Sequence, residues 1–362
     1  MTFSMTTGKL PHNRSIEKDM YYQYFRSVFL LALMAIFFCG TSAMGDDSGR
    51  ITLTEENDSI IFPTDWYYTQ GLELSYLSGN VVTDSAWLIP FSGLSAIGLF
   101  GDTRVGGDAS RRYRIILGQS IFTPNDTSAV NPDRDDRPYA GWTYGGIGFV
   151  QDTGRRQFDN IELLVGIVGP GAQGRLAQND WHQFIGIDGA NGWDYQIHNE
   201  PGVMLTYERK YRFIQPLLDG FAIEAVPEAG ATIGNVMTYA QVSMLLRFGC
   251  NLEADYGPNS IRPALSGTNY FNDAYLEGPF GFYTYVGAQG RAVARNIFLD
   301  GNTFRDSRDV DKEVFVGDIV GGIAMFWSSA IKLDAGFTYR TQDFEGQDDA
   351  AKFANINLSF GF

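Results

Sequence analysis

The chain has 362 residues with 27 basic and 42 acidic side chains, three histidines and two cysteines, and a formal net charge of -15. So acidic a chain is poorly suited to hold nucleic-acid phosphates, and two cysteines cannot make a disulfide framework. Hydrophobic residues are 44% and aromatics 14% of the chain, so the order in which they occur decides what they build.

Val28 to Phe38 (VFLLALMAIFF) is an apolar run preceded by Lys18 and Arg26 and followed by Thr41-Ser42-Ala43. It is too short for a comfortable membrane-spanning helix. It reads as a secretory signal cleaved near Ala43, which predicts a signal peptide over residues 1–43 and one domain over 44–362. The basic stretch before it is long, and a translation start at Met5 or Met20 fits as well. A lipoprotein reading of Cys39 is disfavoured by Phe37 and Phe38, which stand where small residues are needed. Cleavage removes four basic and two acidic residues, leaving 23 basic and 40 acidic ones and a charge of -17. An anionic lipid as substrate would then require local arginine clusters or a bound cation. Cys250 remains as a lone cysteine whose plain role is packing.

After Ala43 no apolar run is long enough for a helical span, so any membrane crossing must use alternating strands. Twelve candidate strands follow, near 50–57, 70–79, 112–121, 141–151, 158–168, 201–212, 221–233, 236–249, 279–291, 312–326, 330–343 and 353–362. In the eleventh, Ile331, Leu333, Ala335, Phe337 and Tyr339 alternate with Lys332, Asp334, Gly336, Thr338 and Arg340. The last, FANINLSFGF, ends on a bare Phe362 on its apolar face, as suits a closing strand between lipid and a polar lumen. The fold class expected is all-β, an antiparallel transmembrane barrel of about twelve strands, an even number as bacterial barrels require. Trp66, Tyr67, Tyr68, Trp142, Tyr144, Tyr211 and Trp327 at strand ends are expected to form an aromatic girdle. Long connections near 80–111, 122–140, 169–200, 250–278 and 292–311 are expected to face outward, and short turns the periplasm. Within the third of these, GRLAQNDWHQFIGI (174–187) carries Leu176, Trp181, Phe184 and Ile185 at helical spacing, which predicts a short helix over the barrel mouth.

His182 and His198 are the imidazoles left after the leader, so a general base working near neutral pH is expected among them. His182 follows Gln178 by four residues, which puts both side chains on one helix face; a half-exposed surface histidine is the alternative. His198 lies in IHNEP and reads as a turn residue. Asn57-Asp58 ends the first strand beside Thr64 to Gly71 (TDWYYTQG), offering oxygen ligands on irregular backbone for a hard cation such as calcium, or ordinary turn chemistry. Asp133 to Trp142 (DRDDRPYAGW) holds Arg134 and Arg137, which can pair with phosphate or with their own aspartate neighbours, the role expected for Arg137. No nucleophile elbow, zinc-spaced ligand set or P-loop occurs.

ENDSI (56–60), TDWYYTQG (64–71), GQSIFTP (118–124), DDRPYAGW (135–142), GPGAQG (169–174), QNDWHQFIG (178–186) and GWDYQIHNEPG (192–202) together resemble the outer-membrane lipid A deacylase family of the LpxR type, from about Arg50 to Phe362. The resemblance implies a calcium-dependent esterase in the bacterial outer membrane. It would act on the 3'-linked acyloxyacyl ester of lipid A with its active site on the extracellular side. It places the catalytic histidine on His182, with Gln178, Asn57 and Thr69 beside it and Asp58 holding the metal. The family's lysine in the loop after the third strand has no counterpart in Thr123 to Asp136, which leaves Arg134 to meet substrate phosphate. The expected chemistry is water attack assisted by His182, without an acyl-enzyme. Lipid A or lipopolysaccharide and the outer membrane itself are the expected partners, with no nucleic acid, and the expected state is a monomer. The competing readings are a calcium phospholipase using an Asn-His-Ser arrangement and a non-catalytic porin-like barrel.

Overall fold

The computed structural model describes residues 49–59, 67–81, 85–101, 109–154, 156–185, 188–218, 220–263 and 268–362. The signal peptide expected over 1–43, Thr64, Asp65 and the girdle residue Trp66 lie outside the described residues. Twelve antiparallel strands form the wall: β1 Arg50–Asn57, β2 Tyr67–Leu77, β3 Ser110–Thr123, β4 Ala140–Asp152, β5 Gln157–Val168, β6 Glu200–Tyr211, β7 Phe221–Gly234, β8 Met237–Cys250, β9 Phe280–Asn296, β10 Phe315–Trp327, β11 Ile331–Arg340 and β12 Ala351–Gly361. β6 resumes after Arg212 as Phe213–Leu218, which also pairs with β7. The sheet closes twice over, through β1 with β12 from Arg50↔Gly361 to Asn57↔Ala354, and through β6 with β7 from Met204↔Gly234 to Lys210↔Glu228. Closure leaves no exposed strand edge, which is what allows a sheet to sit in hydrocarbon.

Alternation decides the two faces. On β2, Leu72 and Leu74 are exposed while Glu73 and Ser75 are buried; on β11, Ile331, Phe337 and Tyr339 face out while Lys332, Asp334 and Arg340 are enclosed. The inward charges are paired: Arg114 with Glu162 at 2.9 Å and with Glu73, Arg247 with Glu224, and Arg291 and Arg340 sharing Asp318 at 2.6 and 2.9 Å. A buried charge is tolerated only when paired in this way.

Each strand reverses the last, so connections alternate between the rim where β1 begins, here the lower rim, and the upper rim. The long connections therefore do not share one side, contrary to the expectation from their length and polarity that all five face outward. Those after β3, β5 and β9 lie at the upper rim. Those after β2 and β8 lie at the lower rim, because even-numbered strands end there. The one after β8 turns back into the barrel as a plug. Asn259 donates to Thr54 Oγ1 (2.6 Å), the Ile261 N–H donates to Glu56 Oε1 (2.9 Å), and Arg262 bridges Glu162 (2.9 Å) and Glu208. Tyr256 and Tyr270 donate to Asp152 from the same segment.

The aromatic girdle also differs from expectation. Tyr67, Tyr68, Trp142 and Tyr144 are buried inside, where Trp142 stacks on Tyr144 at 4.4 Å. The outward aromatic belt lies at the lower rim instead. It includes Tyr76, Tyr113, Tyr211, Phe280 and Trp327, with Phe280 against Trp327 at 5.6 Å and Tyr76 against Tyr113 at 6.1 Å. A strand-end aromatic faces lipid or lumen by its parity, and β2 changes parity at a bulge between Tyr68 and Gln70.

Candidate active site

At the upper rim β1 stops where the Asn57 carboxamide oxygen accepts from the backbone N–H (2.7 Å) and hydroxyl (2.6 Å) of Ser59. Such a side-chain turn competes with the sheet ladder and ends the strand. The Asp58 N–H donates to the Thr69 carbonyl across the gap (3.4 Å), and the Asp58 side chain is buried. The β2 bulge leaves Thr69 without a ladder partner on β3 and turns it inward, where its hydroxyl meets that of Thr123 at 2.7 Å. Thr123 is the last residue of β3.

The helix expected over the mouth is present as α2, Gly174–Ile185. Its start is pinned to the wall, because the Ala172 carbonyl accepts from Gln119 of β3 (2.6 Å) and Thr143 of β4 (2.8 Å). The backbones then come close: a Cβ on Gly141 would lie 3.3 Å from Gly174 Cα, and one on Gly174 would lie 2.7 Å from Trp193 Cη2. Two glycines thus let α2 press against the ends of β3 and β4.

The face that α2 buries is polar. Gln178 is 2% exposed and His182 6%, whereas Leu176 is 54% exposed. A surface histidine is therefore excluded. His182 Nδ1 lies 2.9 Å from the carbonyl oxygen of Asp188. A carbonyl only accepts, so Nδ1 carries the proton and Nε2 keeps its lone pair, the form a general base needs. The Asp188 carbonyl is held nearby because Asn179 exchanges two hydrogen bonds with Ala190, at 2.8 and 3.3 Å. His182 lies in the last turn of the helix, where the dipole favours a positive charge on the ring.

Gln178 is oriented by Trp193, whose indole N–H donates to its Oε1 at 2.9 Å. Trp193 is fully buried and packs on Tyr139 at 4.8 Å. Trp193, Asn179, Thr123 and the Asp188 carbonyl escape a reading of side-chain chemistry; the one signal was a lone tryptophan in the polar GWDYQ stretch, an unusual residue to leave in a loop unless it is an anchor.

The rest of the expected site divides. Hydrogen bonds run from Asp58 to Thr69 and from Thr69 to Thr123 on β3, with Asn57 next to Asp58 in the chain, and Gln178 with His182 sits on the helix that packs on β3 and β4. The two groups flank the same strand end. Arg134 is exposed on the connection after β3. That connection is tied down by Arg308, which donates to the Pro132 carbonyl (2.9 Å) and Asn131 Oδ1 (2.7 Å) and covers the Tyr195 ring at 4.7 Å. Arg137 is buried with its guanidinium over Phe122 at 4.8 Å, and burial pushes it down to about 10. Its tie to a neighbouring aspartate runs through its backbone N–H to Asp136 Oδ1 (2.7 Å). His198 acts as the turn residue expected, its N–H and carbonyl both bonded to the Asn302 side chain (2.7 and 2.8 Å).

The donors around Asp58 are all oxygens: its buried carboxylate, the Thr69 carbonyl and hydroxyl, and the Asn57 carboxamide. That chemistry fits a hard cation such as calcium and not zinc. Among the described residues no three His, Cys, Asp or Glu side chains converge, so a cation here would complete its shell with carbonyl, hydroxyl and water oxygens.

The chain is similar in structure to LpxR from Salmonella typhimurium, with a TM-score of 0.68 and 19% identity over 86% of this chain and all of that one. The β domain of the Bordetella autotransporter BrkA aligns over 88% of this chain and 99% of its own, at 10% identity and a TM-score of 0.42. No curated protein sequence matches. The family described as outer membrane protein LpxR matches residues 28–362, which takes in the whole barrel and every element of the upper-rim site. A closed barrel with a lipid-facing band and a helix-borne histidine at one mouth is thus the form of an outer-membrane protein, and this chain belongs to the LpxR family.

Proposed function

We propose that this protein is a lipid A 3'-O-deacylase that hydrolyses the ester of the 3'-linked acyloxyacyl chain by direct water attack. The observation that carries the reading is the buried His182, whose Nδ1 is committed to the Asp188 carbonyl so that Nε2 is the basic nitrogen. Nε2 takes a proton from water as the water oxygen bonds to the ester carbonyl carbon. The carbon–oxygen bond to the sugar then breaks, and the proton passes from the imidazolium to the departing sugar oxygen, leaving a free hydroxyl and a carboxylic acid. Gln178, oriented by Trp193, and Asn57 are suited to position the water or the carbonyl. A calcium ion held by Asp58 with the oxygens of Thr69 and Asn57 would polarise the ester carbonyl and offset developing negative charge. It would also ease the approach of a phosphorylated lipid to an acidic protein, and Arg134, exposed on the mouth, is suited to meet a substrate phosphate.

The site belongs on the extracellular side in this reading, since lipid A occupies the outer leaflet. The filled lumen argues against a porin, because Arg262 and its neighbours occupy the interior.

Mass spectrometry of lipid A from cells expressing the wild type and His182→Ala tests the proposal. Loss of one 3'-acyloxyacyl group only with the wild type is the expected result. Unchanged lipid A in both, or shortened glycerophospholipids with the wild type, would overturn it, as would a covalent acyl adduct trapped on a Ser or Thr.

A further inference from the structure

The connection after β2 at the lower rim carries a helix that the proposed reaction does not use: α1, Leu88–Ala96 (LIPFSGLSA). From Ala86 to Phe100 the segment holds no charged residue. Only Phe91 of the helix is buried, set edge-on against Phe149 of β4 at 5.5 Å. Ile89 is 73% exposed, and Ile97 just beyond the helix 71%. A helix apolar all round is at home in a protein core or in lipid, and this one is outside the barrel.

Its surroundings identify which lipid depth it occupies. Trp87, at its N-terminus, stacks on Tyr113 of β3 at 4.3 Å with an interplanar angle of 17° and so joins the lower-rim aromatic belt, the marker of a membrane–water boundary. The backbone beyond its C-terminal end is satisfied by the wall: the Leu99 carbonyl accepts from Tyr207 (2.7 Å) and Arg209 (3.1 Å), and the Gly101 carbonyl from Gln151 (2.8 Å). Satisfying carbonyls internally is what hydrocarbon requires. Between α1 and the outer wall runs a groove of about 340 Å³ lined by Pro90, Leu94, Ile147, Ile161, Leu163 and Leu205. Glu162 at that level turns its carboxylate into the lumen toward Arg114. The volume falls within the range of ligand pockets, about 300–1,000 Å³, and the groove opens onto the barrel's lipid-facing band.

We propose that α1 is an in-plane membrane helix in the leaflet at the lower rim, and that the groove behind it holds one acyl chain of a phospholipid of that leaflet. Continuity of the groove with the lipid-facing wall, the belt at Trp87 and the uncharged segment select a lipid tail as occupant. The site lies at the rim opposite His182 and does not depend on the reaction proposed above.

Two measurements test it. Nitroxide labels at Ile89→Cys and Ile97→Cys, with Cys250 replaced by Ser, are compared in phosphatidylethanolamine–phosphatidylglycerol vesicles with labels at lipid-facing Val286→Cys and at upper-loop Asp133→Cys. Labels on the α1 segment shielded from a water-soluble nickel chelate and open to oxygen, as at Val286, are expected; labels as open to nickel as at Asp133 would overturn the membrane placement. Native mass spectrometry after incubation with palmitoyl-oleoyl-phosphatidylethanolamine reads the groove. Gly93 also lines the groove and a Cβ there meets nothing within 4 Å, so Gly93→Leu adds bulk beside the groove without a clash in the helix. It is expected to lower the one-lipid adduct by about tenfold while the barrel keeps its heat-dependent gel mobility. An undiminished adduct, or none on the wild type, would overturn the acyl-chain site.

Discussion

Trp193→Phe isolates one hydrogen bond in the site. The substitution removes the indole N–H that donates to Gln178 Oε1 at 2.9 Å and keeps an aromatic ring against Tyr139. Gln178 is 2% exposed, so water cannot readily replace the donor. A buried acceptor left without it costs about 1–3 kcal/mol, and the carboxamide is free to turn over and present the wrong atom. If that cost falls on the transition state, kcat/KM drops by about 5- to 150-fold. The assay follows acid release from purified lipid A by mass spectrometry, with gel mobility against temperature reporting the barrel. A double-mutant cycle sharpens the result, since groups acting through one another are non-additive. Trp193→Phe is expected to add almost nothing in a Gln178→Ala background. A wild-type rate for Trp193→Phe, or a full additional loss in that background, would refute the claim that the indole acts by orienting Gln178.

Gly174→Ala should reduce kcat with the barrel's stability intact, because the new Cβ would lie 2.7 Å from Trp193 Cη2; helix propensity alone would favour Ala over Gly by about 1 kcal/mol, so a faster enzyme would contradict the steric account. Arg262→Met strips a buried partner from Glu162 and Glu208, and a loss of about 3–5 kcal/mol is expected, seen as a lower temperature for the gel-mobility transition. In planar bilayers the wild type should pass little current, with the Arg262 variant conducting more as the plug loosens. Chelation should abolish activity and added calcium restore it, while Asp58→Asn raises the calcium needed; activity indifferent to chelator would remove the metal from the proposal.

The strands were legible because a wall between lipid and a polar lumen imposes a period of two on every segment. Ile331 to Arg340 is alternating over its whole length, and its ends fall within a few residues of the observed strand. The helix was legible from its spacing, but the face it buries was not: Leu176 faces out, and Gln178 with His182 forms the buried stripe. Beside a polar rim, the inward face need not be the apolar one. The girdle was misjudged at Tyr67, Tyr68, Trp142 and Tyr144, since position along a strand says nothing of side, and the β2 bulge reverses parity inside TDWYYTQG. Length and polarity also put the 250–278 connection outside, when its charges in fact serve the lumen.

By itself, then, the sequence determined the barrel and its strand count, because period is a local property, while the candidate groups His182, Gln178, Asn57, Asp58 and Thr69 were named together only by the family resemblance. Tertiary structure decided what depends on contacts distant along the chain. It turned a loop into a plug by pairing Arg262 with Glu162 and Glu208. It brought Trp193 to Gln178, selected the basic nitrogen of His182 through the Asp188 carbonyl, and left α1 on the outer wall. Alternation tells a side chain which face it takes, but only closure of the sheet tells it what stands opposite.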